Sequence, residues 1–168
     1  MTDRLPPDFF LRDVLEVAPE LIGKLLVRQF EDGQLERYRI TEVEAYRGTE
    51  DLACHANKGR TPRTEVMFQE GGAVYVYLIY GIYWLLNLVT GNESDPSAVL
   101  IRGVEGFSGP GRVGRKLQLD KSFYGERLIS STRIWLEDAA HVSEIKTSKR
   151  IGISYAGEWE NKLWRFYL

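Results

Sequence analysis

The segment Thr41-Glu42-Val43-Glu44-Ala45-Tyr46 has residue types and spacing that could do chemistry. In an extended strand, residues two apart share a face. Glu42, Glu44 and Tyr46 then point one way, and Thr41, Val43 and Ala45 the other. A carboxylate held beside an aromatic ring suits a general base. The same pattern also suits an ordinary solvated strand face, where charged residues usually lie. Arg102 sharpens the choice, because it sits in the apolar run Ala98–Val104 beside Val99, Leu100 and Ile101. An arginine buried there needs a carboxylate or another acceptor. His55 follows Cys54 in a polar stretch; it reads either as one wall of a pocket or as a solvated loop residue. Cys54 is the lone cysteine and His141 the only other histidine. Zinc-type spacing is therefore missing, and neither a metal nor a cofactor is expected.

Gly109-Pro110-Gly111-Arg112-Val113-Gly114 matches G-x-G-x-x-G in form. The dinucleotide fingerprint also needs a βαβ setting and an acidic residue ~20 positions on, and neither is evident. Around and after this loop stand Arg112, Arg115, Lys116, Lys121, Arg127 and Arg133, outnumbering Asp120 and Glu126. Lys58, Arg60 and Arg63 make a second basic group. A glycine-rich backbone with cations could cradle phosphate, and equally could be plain solvated surface.

These residues need elements to position them. The pattern predicts a short helix from Asp8 and another near Pro19–Ile22, ended by Gly23. Lys24–Phe30 reads as a strand, Glu31–Gln34 as a turn with an Asp-Gly signal, and Leu35–Tyr46 as the returning strand. Arg47–Pro62 reads as a loop or a loop with one helical turn. Ser97–Val104 reads as a strand, Gly106–Gly114 as a loop, and Arg115–Leu119 as the start of a helix. Thr132–Leu136, Ile151–Tyr155 and Trp164–Tyr167 read as further strands. Strands joined by turns, with few short helices, indicate an α+β fold on a mainly antiparallel, curved sheet.

Ala73–Val89, AVYVYLIYGIYWLLNLV, is uncharged and dense in aromatics. A membrane span needs ~20 apolar residues, and this run is shorter and holds Gly81 and Asn87. Its Tyr, Val, Ile and Trp favour strands over a buried helix. The preferred reading is a protruding aromatic β-hairpin with arms Val74–Ile79 and Tyr83–Val89. Folding about Ile82 would set Tyr77 opposite Asn87 and leave Tyr80 at the tip. An aromatic tip implies insertion into something: this protein's own core, a second copy, or stacked bases.

The 168 residues suit one domain over 1–168 with a substantial core. The net charge of -2 argues against affinity for nucleic acid resting on overall basicity. A lone cysteine fits a reducing compartment. The opening MTDRLPPDFF lacks a cationic and then apolar signal pattern, so an intracellular, non-membrane protein is expected.

With those residues in view, the chain resembles the alkyladenine (3-methyladenine or methylpurine) DNA glycosylases of mammalian type. The matching pieces are LIGKLLVR at 21–28, TEVEAYRGTEDLACH at 41–55, RTPR at 60–63, MF at 67–68 and VYVYLIYGIYWLLN at 74–87. VLIRGVE at 99–105, GPGR at 109–112, DKSF at 120–123, RIG at 150–152, GEW at 157–159 and RFY at 165–167 complete the order. Ile82, Trp84 and Leu85 differ from the animal sequences. Family members usually run on past RFY into a short Gly/Pro-containing tail, and here Leu168 follows.

The resemblance implies a monofunctional enzyme that flips damaged purines from double-stranded DNA and hydrolyses the glycosidic bond. It implies Glu44 as the water-activating carboxylate and Arg102 as the residue holding that water, with a backbone carbonyl from Ile151. It implies a base stacked between Tyr46 and a His55–Tyr77 wall, Asn87 as the screen against guanine, and Tyr80 as the wedge in the minor groove. Arg60, Thr61, Arg63 and Lys121 would meet the DNA backbone. It also implies a monomer working at the nucleoid of a bacterium or in a eukaryotic nucleus. No lysine lies in TEVEAY, which agrees with hydrolysis without a Schiff base. A non-catalytic lesion or RNA binder on the same fold is the alternative.

Overall fold

The computed structural model describes residues 3–168; Met1 and Thr2 of the opening segment lie outside the described residues. Among them nine strands join one antiparallel sheet. In chain order these are β1 (Leu25–Gln29), β2 (Leu35–Arg47), β3 (Val74–Ile79), β4 (Tyr83–Thr90), β5 (Ser97–Val104), β6 (Phe107–Ser108), β7 (Ile134–Glu137), β8 (Lys146–Ser148) and β9 (Arg165–Tyr167). The spatial order is β3-β4-β5-β2-β1-β7, with β6 on β5, β9 on β2 and β8 on β9. Two helices, α1 (Val14–Leu21) and α2 (Pro110–Lys116), and several single 3-10 turns complete the α+β fold.

Strand β2 is the spine. Its first half pairs with β1, from Gln29↔Leu35 to Leu25↔Arg39. Its second half pairs with β5, and Glu42–Glu44 pair with β9 on the opposite edge. The β2–β5 register shifts on both sides of Glu42, and the ladder skips Thr41 and Arg102. Such irregularities bend a strand and re-aim its side chains.

Where β3, β4, β5 and β2 lie side by side, alternation divides their residues between two faces. Val74, Val76, Leu86, Leu88, Val99, Ile101, Val43 and Ala45 face the main core with α1 and α2 residues such as Val17, Leu21 and Val113. Ala73, Tyr75, Val89 and Ala98 face the other way, under Cys54, Ala56, Val66, Met67 and Phe68. Both faces are covered, so β3 and β4 carry no polar alternation. That accounts for the uncharged run Ala73–Val89.

The hairpin forms as expected but turns one residue earlier. Ile79 pairs with Tyr83 and Tyr75 with Asn87, while Tyr77 faces Leu85. The turn centres on Gly81 (φ 70), and the Ile82 N–H donates to the Ile79 carbonyl at 3.1 Å. The shift moves each partner by two residues, so Tyr77 and Asn87 still share a face.

Other expectations change. The short helix expected from Asp8 is a 3-10 helix over Pro7–Leu11, and the first α-helix begins at Val14, capped by the Asp13 carboxylate accepting from the Leu15 N–H at 2.8 Å. Pro19 lies in its last turn rather than near a start. Gly106–Gly114 is not all loop: Pro110 opens α2, which ends at Lys116 where a helix was expected to begin. Proline suits a first helical position, where no N–H is needed. Two of the three glycines of the G-x-G-x-x-G pattern serve packing, while Gly109 supplies a left-handed backbone (φ 102) just before α2. A Cβ at Gly114 would sit 1.9 Å from the Trp84 carbonyl oxygen, and one at Gly111 3.0 Å from the Tyr83 ring. Ile151–Tyr155 is not a strand but a bend leading into 3-10 turns over Ser154–Asn161, broken by Gly152 (φ 74) and Gly157 (φ 60).

The seat of α2 on the hairpin gives a test. Gly114→Ala should lower unfolding stability by about 3 kcal/mol, since backbone rather than a flexible side chain blocks the methyl. Urea denaturation measures it, and a loss within ~0.5 kcal/mol would mean that α2 does not rest on β4.

Candidate active site

On the sheet face away from the main core lies a cavity of about 300 Å³. Its floor comes from alternate residues of four strands, with Tyr75 and Tyr77 (β3), Leu85 and Asn87 (β4), Leu100 and Arg102 (β5) and Tyr46 (β2) among its lining. His55, Met67, Ile151 and Tyr155 contribute walls from the connecting segments.

Glu44 lies just behind this lining and is fully buried. Its Oε1 accepts from the Tyr46 hydroxyl at 2.8 Å, and its Oε2 from the Ile151 N–H at 2.6 Å. Arg102 Nη1 stands 3.5 Å from Oε1. Arg102 Nε donates to Glu42 Oε2 at 3.2 Å, and Arg165 Nε donates to the same oxygen at 2.6 Å. The face expected to carry Glu42, Glu44 and Tyr46 is therefore real, and it is inside. At Ile151 it is the amide N–H that meets Glu44. Burial, followed by the charge and hydrogen bond of Glu44, lifts the Tyr46 hydroxyl well above its ordinary range, so the proton stays on Tyr46.

The opposite wall is a cluster of rings. His55 Nδ1 lies 2.8 Å from the Tyr75 hydroxyl, and its ring meets Tyr77 edge-on at 4.5 Å. Tyr75 and Tyr77 are 5.5 Å apart. The Arg63 guanidinium stands 5.1 Å over the Tyr77 ring. Burial pushes the Tyr75 hydroxyl up to about 12 and the Tyr77 hydroxyl higher. Burial, then Arg63 and Lys58, pushes His55 down to about 4, leaving a neutral imidazole at pH 7. Asn87 Nδ2 donates to the Tyr75 carbonyl at 3.2 Å, which directs the other end of the amide, Oδ1, away from that carbonyl.

Tyr80 is 86% exposed and holds a left-handed backbone (φ 53), uncommon for an aromatic residue. It and Ile79 also border the cavity. The Tyr124 hydroxyl donates to the Arg63 carbonyl at 2.9 Å, joining the 60–63 segment to the turn that Lys121 opens. Arg60 is engaged internally by Glu65 at 3.0 Å and Phe68, and Thr61 by Thr64.

Three residues escaped sequence reasoning. Tyr75 would have been found by centring the turn on Gly81. Arg150 and Asp51, a fully buried ion pair beside Tyr46, left no local signal: their separation in the chain hides the contact. Cys54 is buried and its thiol is pushed up to about 12, so it is no nucleophile.

This arrangement joins a flat, aromatic-walled cavity to a buried carboxylate with an arginine beside it. The comparisons give it a class. A family model described as methylpurine-DNA glycosylase matches residues 8–109 and 105–168. A protein of Methanocella arvoryzae, provisionally named a 3-methyladenine DNA glycosylase, is 43% identical over 183 residues, covering 97% of this chain and 91% of its own. Proteins with the same provisional name from Natranaerobius thermophilus and Legionella pneumophila are 41% and 44% identical, each covering 98% of this chain and 95% and 94% of their own. The protein is a DNA glycosylase. Within that class it belongs to the methylpurine-DNA glycosylase family.

The neutral His55 sets a pH dependence. Its folded value, about 4, lies below the ordinary 6.5. The unfolded chain therefore takes up this proton first, and stability falls as pH drops from 6.5 toward 4, with no contribution from this group above that window. The loss should approach about 3 kcal/mol. An imidazole NMR titration reads it directly, and a His55 midpoint at or above 6 would refute it.

Proposed function

We propose that the cavity receives an alkylated or deaminated purine flipped from duplex DNA, and that Glu44 activates the water that displaces it. The substrate class is that of 3-methyladenine, 7-methylguanine, hypoxanthine and ethenoadenine. The observation that carries this reading is the carboxylate of Glu44, wholly buried, held by two donors and placed beside an aromatic cavity.

A purine inside a duplex cannot be reached by a buried group, so the nucleotide must leave the stack. Tyr80, exposed at the hairpin tip, would fill the gap from the minor groove. The base would lie between Tyr46 and the His55–Tyr77 wall. Alkylation makes a purine cationic and a better leaving group, and electron-rich rings attract such a cation. A neutral His55 adds no opposing charge to that wall. Asn87 would disfavour unmodified guanine by an unsatisfied or clashing contact with its exocyclic amine, a penalty that 7-methylguanine, which keeps that amine, would offset by its cationic charge and weakened glycosidic bond. As the glycosidic bond breaks, positive charge grows on the sugar. Glu44 would stabilise it and take a proton from the attacking water, with Arg102 orienting that water.

Arg63 and Lys121, with Arg60 and Thr61 behind them, would meet phosphates beside the lesion. The working unit would be a monomer. Work on DNA would place the protein at the nucleoid of a bacterial cell or in a eukaryotic nucleus. Among the described residues no helix is long and apolar enough to cross a membrane.

Two variants test the reading. Glu44→Gln should abolish release of free base from alkylated duplex while binding persists. Undiminished release would remove Glu44 from the role, and binding without release in the wild type would make the protein a lesion binder. Tyr80→Ala should weaken lesion-duplex binding about tenfold or more with little change in melting temperature. A matching loss of thermal stability would make Tyr80 a packing residue instead.

A further inference from the structure

Arg150 and Asp51 form an ion pair with no solvent exposure on either side chain. Arg150 Nη1 donates to Asp51 Oδ2 at 2.6 Å and Nη2 to Oδ1 at 2.9 Å. The same two nitrogens donate to the Ala45 carbonyl at 3.0 Å and the Trp159 carbonyl at 3.2 Å. Asp51 in turn accepts from the Arg47 and Ala53 amides, each at 3.0 Å. The guanidinium stands 4.8 Å from the Tyr46 ring and 4.9 Å from the Trp164 ring. Its Nε is buried with no hydrogen-bond partner.

A buried pair of this kind is weak evidence for stability, because apolar side chains of similar volume often hold a fold as well. The incomplete satisfaction of Arg150 adds to its cost. What the pair does accomplish is geometric. The residue after Arg150 is Ile151, whose N–H reaches Glu44 Oε2 at 2.6 Å. The ring that Arg150 backs is Tyr46, whose hydroxyl reaches Glu44 Oε1 at 2.8 Å. Two of the donors on Glu44 are thus set by Arg150, one through the chain and one through a ring face. Asp51 fixes the guanidinium by both of its oxygens, so its fork has one orientation.

Resting on the role given to Glu44 above, we propose that Arg150, clamped by Asp51, is a positioning residue that aims the Ile151 amide and the Tyr46 hydroxyl at the Glu44 carboxylate. A purely architectural pair would tie the 150–159 segment to β2 and leave the reaction step alone. A positioning pair governs how the carboxylate is held and ionised, so its disturbance changes the rate of bond cleavage and its pH dependence.

The test uses the full chain, a duplex carrying one hypoxanthine and a methylated duplex, under single-turnover conditions with enzyme in excess. Arg150→Lys keeps the charge but loses the fork and the stacking. Asp51→Asn keeps an acceptor for one of the two amides, which bind different oxygens, and loses the charge and the second acceptor. In both, base release is expected to fall at least about tenfold with the acidic limb of its pH profile moved upward, while duplex Kd stays within about threefold. Folded variants with release within about twofold of wild type and an unmoved profile would overturn the proposal. Unfolding of both would also overturn it, by showing that the pair works for the fold. Failure of the parent reading looks different: the wild type itself would then release no base from either duplex.

Discussion

A carboxylate without solvent contact must be met by donors inside the protein, and that demand from Glu44 organises the structure around it. An isolated buried charge would cost far more than a domain can spare. Here two donors and one cation come from three places in the chain: the Tyr46 hydroxyl two residues on, the Ile151 amide more than a hundred residues away, and the Arg102 guanidinium on the neighbouring strand. Each requires its own support. Tyr46 needs the strand alternation of β2. Arg102 is shared with Glu42, which Arg165 of β9 holds from the other side. The β2–β5 ladder skips a residue at Arg102, re-aiming that side chain. Ile151 needs the 150–159 segment pinned against the sheet, which the Arg150–Asp51 pair and the buried Ala156 accomplish.

The sheet makes this possible by having two covered faces. One face closes the main core with α1 and α2; the other carries the cavity beneath the 53–68 and 150–159 segments. A sheet with one solvated face would have put the same Glu44 in water. The double cover also accounts for the apolar density of the run Ala73–Val89, since both of its faces are buried against protein. Its exposed part is the hairpin tip, where Tyr80 and Ile82 project.

Much of this was legible in the residues. The hairpin, β2 and the shared face of Glu42, Glu44 and Tyr46 follow from alternation and turn chemistry, which are local. The turn centre was placed one residue late, yet the faces survived because the error moved every partner by two. What hid was non-local or double-meaning. Gly109–Gly114 reads as a loop because glycine and proline usually break helices; close approach of α2 to the Trp84 backbone overrides that rule. Ile151–Tyr155 reads as a strand by composition, and the left-handed Gly152 prevents it. The Asp51–Arg150 pair spans 99 residues, so no window of sequence contains it. The resemblance to known glycosylases supplied roles for the site residues, but it said nothing of the pair behind them.

The hairpin couples the two ends of the proposed reaction. Strand β3 carries Tyr75 and Tyr77 in the cavity wall and leads directly to Tyr80 at the tip. From Tyr77 to Tyr80 the chain advances roughly 10 Å at strand rise. Paired along its length with β4, and packed through β4 onto α2, this ribbon has little freedom to bend between wall and wedge. In the proposed reaction the tip residue and the cavity rings would therefore move as one body. Such a body does not need to reassemble a pocket after insertion, so less ordering entropy falls on the chemical step. The left-handed backbone at Tyr80 fits the same logic. Local strain is retained where the surrounding pairs over-determine it, and here it presents a large ring at the farthest point of a rigid ribbon.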